Sequence, residues 1–329
     1  VAITITTTNQ YSDTLRTFYE MKFLSGLTTN LVFYNFATEY PIAKGFGPVV
    51  QFTRYTPSVS TPADRLLSEG TPPSSIQLSI EKVNATALQY GNFVDISDWL
   101  YANYMSGYSE QVEQTLEVLS LEAQDVIDQI VRNGLGASSG ANSTFAGSAT
   151  SVATLNPTSD LISADQVRKV VRTLKRRFVP FFDGSNYIGI ISPGQSFDLQ
   201  GESGVGSWID VNKYTGTTKA EKGEIGKLYS VRFVESQNLT VAGGVGVGAS
   251  GTVQSYFFGK DALGVVNVKD VTSGNRKSMK HIELFIKEPG SAGTADPLNQ
   301  HGTIGYKFNI AAVRLHNARV QLFESGEGA

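Results

Sequence analysis

Residues 109–134 read SEQVEQTLEVLSLEAQDVIDQIVRNG, and in them Val112, Leu116, Leu119, Ala123, Val126 and Ile130 follow one another at steps of 4, 3, 4, 3 and 4. That spacing keeps one apolar seam along a helix over 110–133, about 36 Å long at 1.5 Å per residue. Ser109 is placed to cap its start, Glu110 and Glu113 suit the positive end of the helix dipole, and Gly134 is the expected stop. About three heptads are few for a coiled coil, so the seam is expected to lie on a sheet of the same chain. A long helix laid on a sheet makes the fold class α+β.

Upstream, Val49 to Tyr55 reads as a strand, and Ile76, Leu78 and Ile80 alternate with polar residues in a second. The pair suggests a hairpin. Between its strands, Thr56 to Ser75 carries Pro57, Pro62, Pro72 and Pro73, four of the chain's 11 prolines. A connection this long is uncommon inside a compact domain, and proline stiffens it, so it reads as a projection that docks on a neighbour. The Thr-rich first residues and the segment Tyr11 to Leu24 show no clean helical stripe, which suggests an arm laid over a partner surface.

Downstream, Gly136 to Pro157 is small and polar and reads as a linker into a second lobe. A second helix follows. Ser163 and Gln166 form a capping-box pattern, Val167, Val170, Val171, Leu174 and Phe178 share a face, and Pro180 ends it. Its opposite face carries Arg168, Lys169, Arg172, Lys175 and Arg176, a basic face suited to solvent, an acidic neighbour or nucleic acid. Strands are expected at Leu228–Val234, Gln254–Phe258, Val265–Val268 and His281–Ile286. Gly305–Phe323 reads as a pair of strands around His316 and Asn317.

Composition narrows the function classes. A net charge of −3 argues against a dedicated nucleic-acid reader, and residues 1–45 balance Arg16, Lys22 and Lys44 against Asp13, Glu20 and Glu39. The absence of cysteine excludes disulfides, thiolate catalysis and Cys-based zinc sites. No run of about 18 apolar residues suggests a membrane span.

Three patterns that invite chemistry fail on context. Gly246, Gly248 and Gly251 spell G-x-G-x-x-G, with Asp270 at a suitable distance, but a strand-like segment follows where a dinucleotide site needs a helix. Gly136, Ser138 and Gly140 match G-x-S-x-G but follow a helix in place of a strand. His281, His301 and His316 have no metal-ligand spacing. No catalytic, cofactor-binding or metal residues are assigned, and no cofactor is expected.

Five segments, in order, carry a resemblance: Leu67–Pro72, Gln89–Asp98, the long helix, Phe258–Gly264 and Asp296–Lys307. Together they make the chain resemble the major capsid proteins of tailed bacteriophages with the Hong Kong 97-type fold, and within them the coat proteins of N-four-like phages. The resemblance implies an N-terminal arm (1–45), an extended two-stranded loop (46–90), a peripheral domain with a spine helix (91–155 and 276–329) and an inserted axial domain (156–275). It implies hexamers and pentamers of an icosahedral head that encloses double-stranded DNA without sequence-specific contacts and assembles in the host cytoplasm. Scaffolding, portal and decoration proteins are the further partners, and no membrane is involved. Some members crosslink through a lysine on the extended loop, but residues 45–81 contain none. Because the chain starts almost at the arm, a separate scaffolding protein or prior cleavage is expected. Arg54, Asp64, Arg65, Leu66, Leu67 and Glu69 are the expected loop contacts to the adjacent subunit. An encapsulin-like compartment shell is the nearest alternative, and a β-rich hydrolytic enzyme the alternative from another class.

Overall fold

The computed structural model describes residues 23, 31–43, 47–56, 65–67, 69–70, 79–103, 108–136, 142–202, 224–241, 251–269, 282–287 and 297–327. In chain order the elements are β1 (Thr38–Ala43), β2 (Val49–Thr56), β3 (Ser79–Thr86), β4 (Leu88–Ser97), α1 (Asp98–Asn103) and α2 (Tyr108–Gly136). Then follow β5 (Ser143–Phe145), α3 (Ala164–Arg176), β6 (Tyr187–Ile191), α4 (Pro193–Gly201), β7 (Glu224–Leu228), β8 (Val231–Glu235) and β9 (Thr240–Val241). The last are β10 (Thr252–Phe258), β11 (Leu263–Lys269), β12 (Glu283–Lys287), β13 (His301–Arg314) and β14 (Val320–Gly326).

Two sheets organise these elements. In the five-stranded sheet β13 pairs antiparallel with β4 on one side and with β12 and then β11 on the other, while β1 adds in parallel to β11. The seven-stranded sheet runs β5-β14-β10-β6-β8-β7, with β9 also on β10. The chain crosses between the sheets after β10 and again after β13. Backbone bonds tie the crossings together, Leu315 N–H to the Ala262 carbonyl at 2.9 Å and Gly259 N–H to the Arg319 carbonyl at 3.1 Å.

These crossings set where two expected features lie. The strands around His316 and Asn317 exist, but β13 and β14 lie in different sheets and do not pair. The sheets also run across the expected segments: β11, within 156–275, pairs with β13, and β14, within 276–329, pairs with β10. Sequence order alone does not reveal that a short connector changes sheet.

The long helix is α2, and it packs on the five-stranded sheet as its seam requires. Val112, Leu116, Leu119 and Ala123 are buried, but in the second half the buried positions are Ile127, Val131 and Leu135, with Val126 and Ile130 only partly covered. A helix of 3.6 residues per turn drifts away from a stripe of period 3.5, so the buried line moves by one residue. The ends differ too. Helix geometry begins at Tyr108, so Ser109 lies inside the first turn, and it runs past Gly134 to Gly136. A Cβ on Gly134 would come within 2.6 Å of the Ala312 side chain, so that glycine serves close packing on β13. The terminal carbonyl of Leu135 is instead capped by the buried Arg314 guanidinium, whose Nε donates to it at 2.7 Å.

The seven-stranded sheet is covered on both faces, and period two divides β10 between them. Tyr256 and Phe258 join the core around α2, while Phe257 joins a second core with Val167, Val170, Val171 and Leu174 of α3. Ser163 caps α3 through the Gln166 N–H, as expected. Its other end departs from the reading. Phe178 N–H bonds the Lys175 carbonyl and Val179 N–H the Leu174 carbonyl, a Schellman closure that puts Phe178 at φ 54°, with its side chain 93% exposed and off the apolar face.

Several strand boundaries also moved. Leu228–Val234 is no single strand: Tyr229 and Ser230, at φ 48° and 66°, form the two-residue turn between β7 and β8. Gln254–Phe258 and Val265–Val268 fall inside β10 and β11, and β12 covers Glu283–Lys287. The stretch Gly136–Pro157 is more than a linker, since β5 joins β14 in parallel. His281, Asp270, Gly246, Gly248, Ser138 and Gly140 lie outside the described residues. So do Ile76, Leu78 and Tyr11–Lys22.

Candidate assembly surfaces

β2 and β3 pair antiparallel from Val49 and Thr86 to Thr56 and Ser79, which makes the expected hairpin. Its base packs on the chain. Ala85, Val50 and Phe52 join Ile42, Val266 and Ala311, and the Tyr40 and Phe52 rings meet edge-on at 4.8 Å between centroids. Arg54 is turned inward, donating from Nε to Glu81 at 2.6 Å and from Nη1 to the Leu315 carbonyl at 3.0 Å. Within its own subunit, Arg54 thus fastens the hairpin to the junction at Leu315. Further out the surface changes character. Tyr55 and Ile80 are more than half exposed, and Leu66 and Leu67 are 83% and 68% exposed, with Arg65 and Glu69 also at the surface. Asp64 lies outside the described residues.

The expected arm is likewise partly the subunit's own structure. Leu31, Phe33 and Tyr34 are buried in the main core, and β1 is a strand of the five-stranded sheet. Asp128 of α2 holds this entry, accepting the Phe33 N–H at 2.8 Å and the Tyr34 N–H at 3.4 Å. Burial pushes the Asp128 carboxyl up to about 6, against the lowering effect of its backbone donors.

Along α3, Arg168, Lys169, Arg172, Lys175 and Arg176 are all exposed, as the periodicity requires. They line an open concavity of about 840 Å³ closed on one side by Tyr229 and Ser230 of the β7–β8 turn. Arg168 pairs with Asp165 at 2.8 Å and lies 5.6 Å from the Tyr229 ring centroid. No described carboxylate pairs with Arg172, Lys175 or Arg176.

The hydroxyl-rich cluster beneath α4 is an interior hydrogen-bond network. Gln195 Nε2 donates to Ser325 Oγ at 2.8 Å, and Gln195 Oε1 accepts from Ser255 Oγ at 2.6 Å and from the Ser192 N–H at 3.1 Å. The amide of Gln195 sits at its centre, and at its edge Glu327 Oε1 accepts from the Ser192 hydroxyl at 2.8 Å and from the Gly194 N–H at 3.1 Å, a carboxylate that joins the cap of α4. Gly251 is followed directly by β10, the strand that the glycine pattern predicted in place of a helix. Burial, then Arg319 and Arg54, lower the His316 pKa and favour the neutral ring at the junction of hairpin and sheet. Among the described residues no three metal-ligating side chains gather.

No family profile and no curated protein sequence matches the chain. Its backbone does match solved structures. The capsid of Ralstonia phage GP4 aligns at a TM-score of 0.65 and 14% identity, over 92% of this chain and 93% of that one. The chain has the tailed-phage capsid fold. The cyanophage Pam1 capsid subunit agrees, with a TM-score of 0.62 at 13% identity over 87% of each chain. So does the SrpI encapsulin of Synechococcus elongatus, at 0.55 and 9% identity over 89% and 86%. Coverage of both chains nearly end to end makes the likeness one of whole architecture, and the Hong Kong 97-type fold expected from the sequence is the fold the chain has.

Proposed function

We propose that this protein is a major capsid protein that tiles into hexamers and pentamers of a phage head around double-stranded DNA and performs no covalent chemistry. The observation that carries this is a whole-chain capsid architecture with an anchored hairpin that presents Leu66 and Leu67 to solvent. Apolar side chains on a stiff projection gain nothing from their own core, whereas a neighbouring subunit would cover them. Leu66, Leu67, Arg65 and Glu69, with Asp64, are the proposed loop contacts, and Arg54 supports them from within its own subunit. The arm, extended loop, peripheral and axial segments remain our division of roles, with β11 assigned to the peripheral sheet and β14 to the axial one. The narrower likeness to N-four-like coat proteins rests on the sequence segments.

Many modest contacts per subunit, closing together, would supply the assembly energy. Scaffolding and portal proteins and host-cytoplasm assembly belong to the same reading. The test is expression with and without a scaffolding protein, followed by sedimentation and cryo-electron microscopy. Closed particles are expected, and a monodisperse 35.5 kDa monomer under all conditions would overturn the proposal. The encapsulin likeness supports a second reading as a compartment shell, and particles that enclose a protein cargo in place of DNA would select it. Boiling particles in detergent should release one monomer band, because the chain has no cysteine and residues 45–81 no lysine.

A further inference from the structure

Phe178 occupies the position where a Schellman closure ordinarily has glycine. At φ 54° its Cβ crowds the backbone, and its ring, 93% exposed, recovers almost nothing from packing in its own subunit. A bulky residue that costs local stability and gains no core contact is explained if its ring is used elsewhere. Lys175 and Arg176 stand in the helical turn just before it, both exposed and with no described carboxylate partner. The end of α3 is thus an apolar knob flanked by cations.

The same chain carries the complementary surface. On the solvent face of α2, Val118 and Leu121 are 65% and 51% exposed, three residues apart and therefore adjacent. Glu117, four residues before Leu121, is exposed, and Glu122, four after Val118, is half-exposed and accepts from Asn92 Nδ2 of β4 at 2.6 Å; the two flank this apolar pair on its two sides. No lysine or arginine occurs between Tyr108 and Val131, so the face is acidic along most of its length. Within one subunit the knob does not reach it, as the exposure of both parts shows.

We propose that the α3 end, Lys175, Arg176 and Phe178, docks on the Glu117–Glu122 face of α2 in a second copy of this chain. The occupant follows from charge complementarity joined to apolar complementarity. Phosphates alone would match the cations but leave an exposed phenyl ring with no role. Because the two patches differ, the contact is head-to-tail, and such contacts propagate into rings when the rotation closes. The inference rests on the shell reading above and names one of its interfaces.

Four variants of the full chain test it. Phe178→Gly should raise the melting temperature, since glycine relieves the positive φ, while the concentration needed for particle assembly rises about tenfold, the scale of a lost interface anchor. Lys175→Glu with Arg176→Glu should impair assembly, and Glu117→Lys with Glu122→Lys should do the same. Combining all four reversals in one chain should restore particles, because each copy then presents swapped charges to the next. Thermal melts verify that every variant is folded. Wild-type particles together with unimpaired single-patch variants would overturn this interface alone. Impairment by the α3 reversal only, without rescue, would mark a nucleic-acid contact and also overturn it. A fall in melting temperature for Phe178→Gly would show a role within the subunit and overturn the anchor. A wild-type chain that never assembles would overturn both this inference and the shell reading.

Discussion

The helix α2 and the hairpin β2–β3 are held in opposite ways. Along α2 one side chain in every turn is buried at 3% exposure or less from Val112 to Leu135, so the subunit itself supplies the partner surface for the whole length. The hairpin is packed only at its base, through Phe52, Val50 and Ala85, and beyond Arg54 its apolar residues stand in water. The two elements therefore differ in how much of their apolar surface the subunit itself covers.

Substitutions can break this contrast, and their effects on folding should descend in a definite order. Leu119→Asp would bury an unpaired carboxylate in the core at a cost of about 4 kcal/mol or more, enough to abolish soluble expression. Val126→Asp, at a partly covered position, should be milder, and circular dichroism melts of the two variants measure the difference.

Asp128→Asn comes next and sharpens the account of how α2 holds the entering chain. With its carboxyl raised from 3.8 to about 6, the folded state holds a proton that the unfolded state has lost between those values. The associated stability is present below pH 4 and is lost as pH rises through 6, a span of roughly 3 kcal/mol at most. Denaturant midpoints should therefore fall from pH 4 to pH 7 by more in the wild type than in the Asn variant. An unchanged slope would show that Asp128 titrates normally.

Arg54→Ala removes a half-exposed ion pair and a bond to Leu315, and should cost only about 1 kcal/mol. The smallest folding effect is expected from replacing residues 57–78 with a short glycine-containing turn. The melt should hardly move while particles disappear in electron microscopy. Normal shells from that variant would erase the contrast between the two elements.

Much of this was legible from side-chain periodicity. The α2 seam and the apolar face of α3 each state which face seeks cover, because burial follows the repeat of the element. One missed element also had a signal: Ser192, Pro193 and Gln195 spell a helix start, and both halves of that capping box form at α4. Other features had none. Tyr229 and Ser230 make a tight turn without glycine or asparagine, and β1 pairs with β11 more than 200 residues away, so neither local composition nor spacing announces them.

By itself, then, the sequence determined the classes of element, the buried stripes and the basic face of α3, because these depend on local repeat. Only the tertiary structure decided that the arm enters the subunit's own sheet, that Arg54 points inward, that Phe178 points out, and that β11 and β14 exchange sheets. Those outcomes depend on which surfaces meet across long separations in the chain, and a periodic pattern carries no information about its partner.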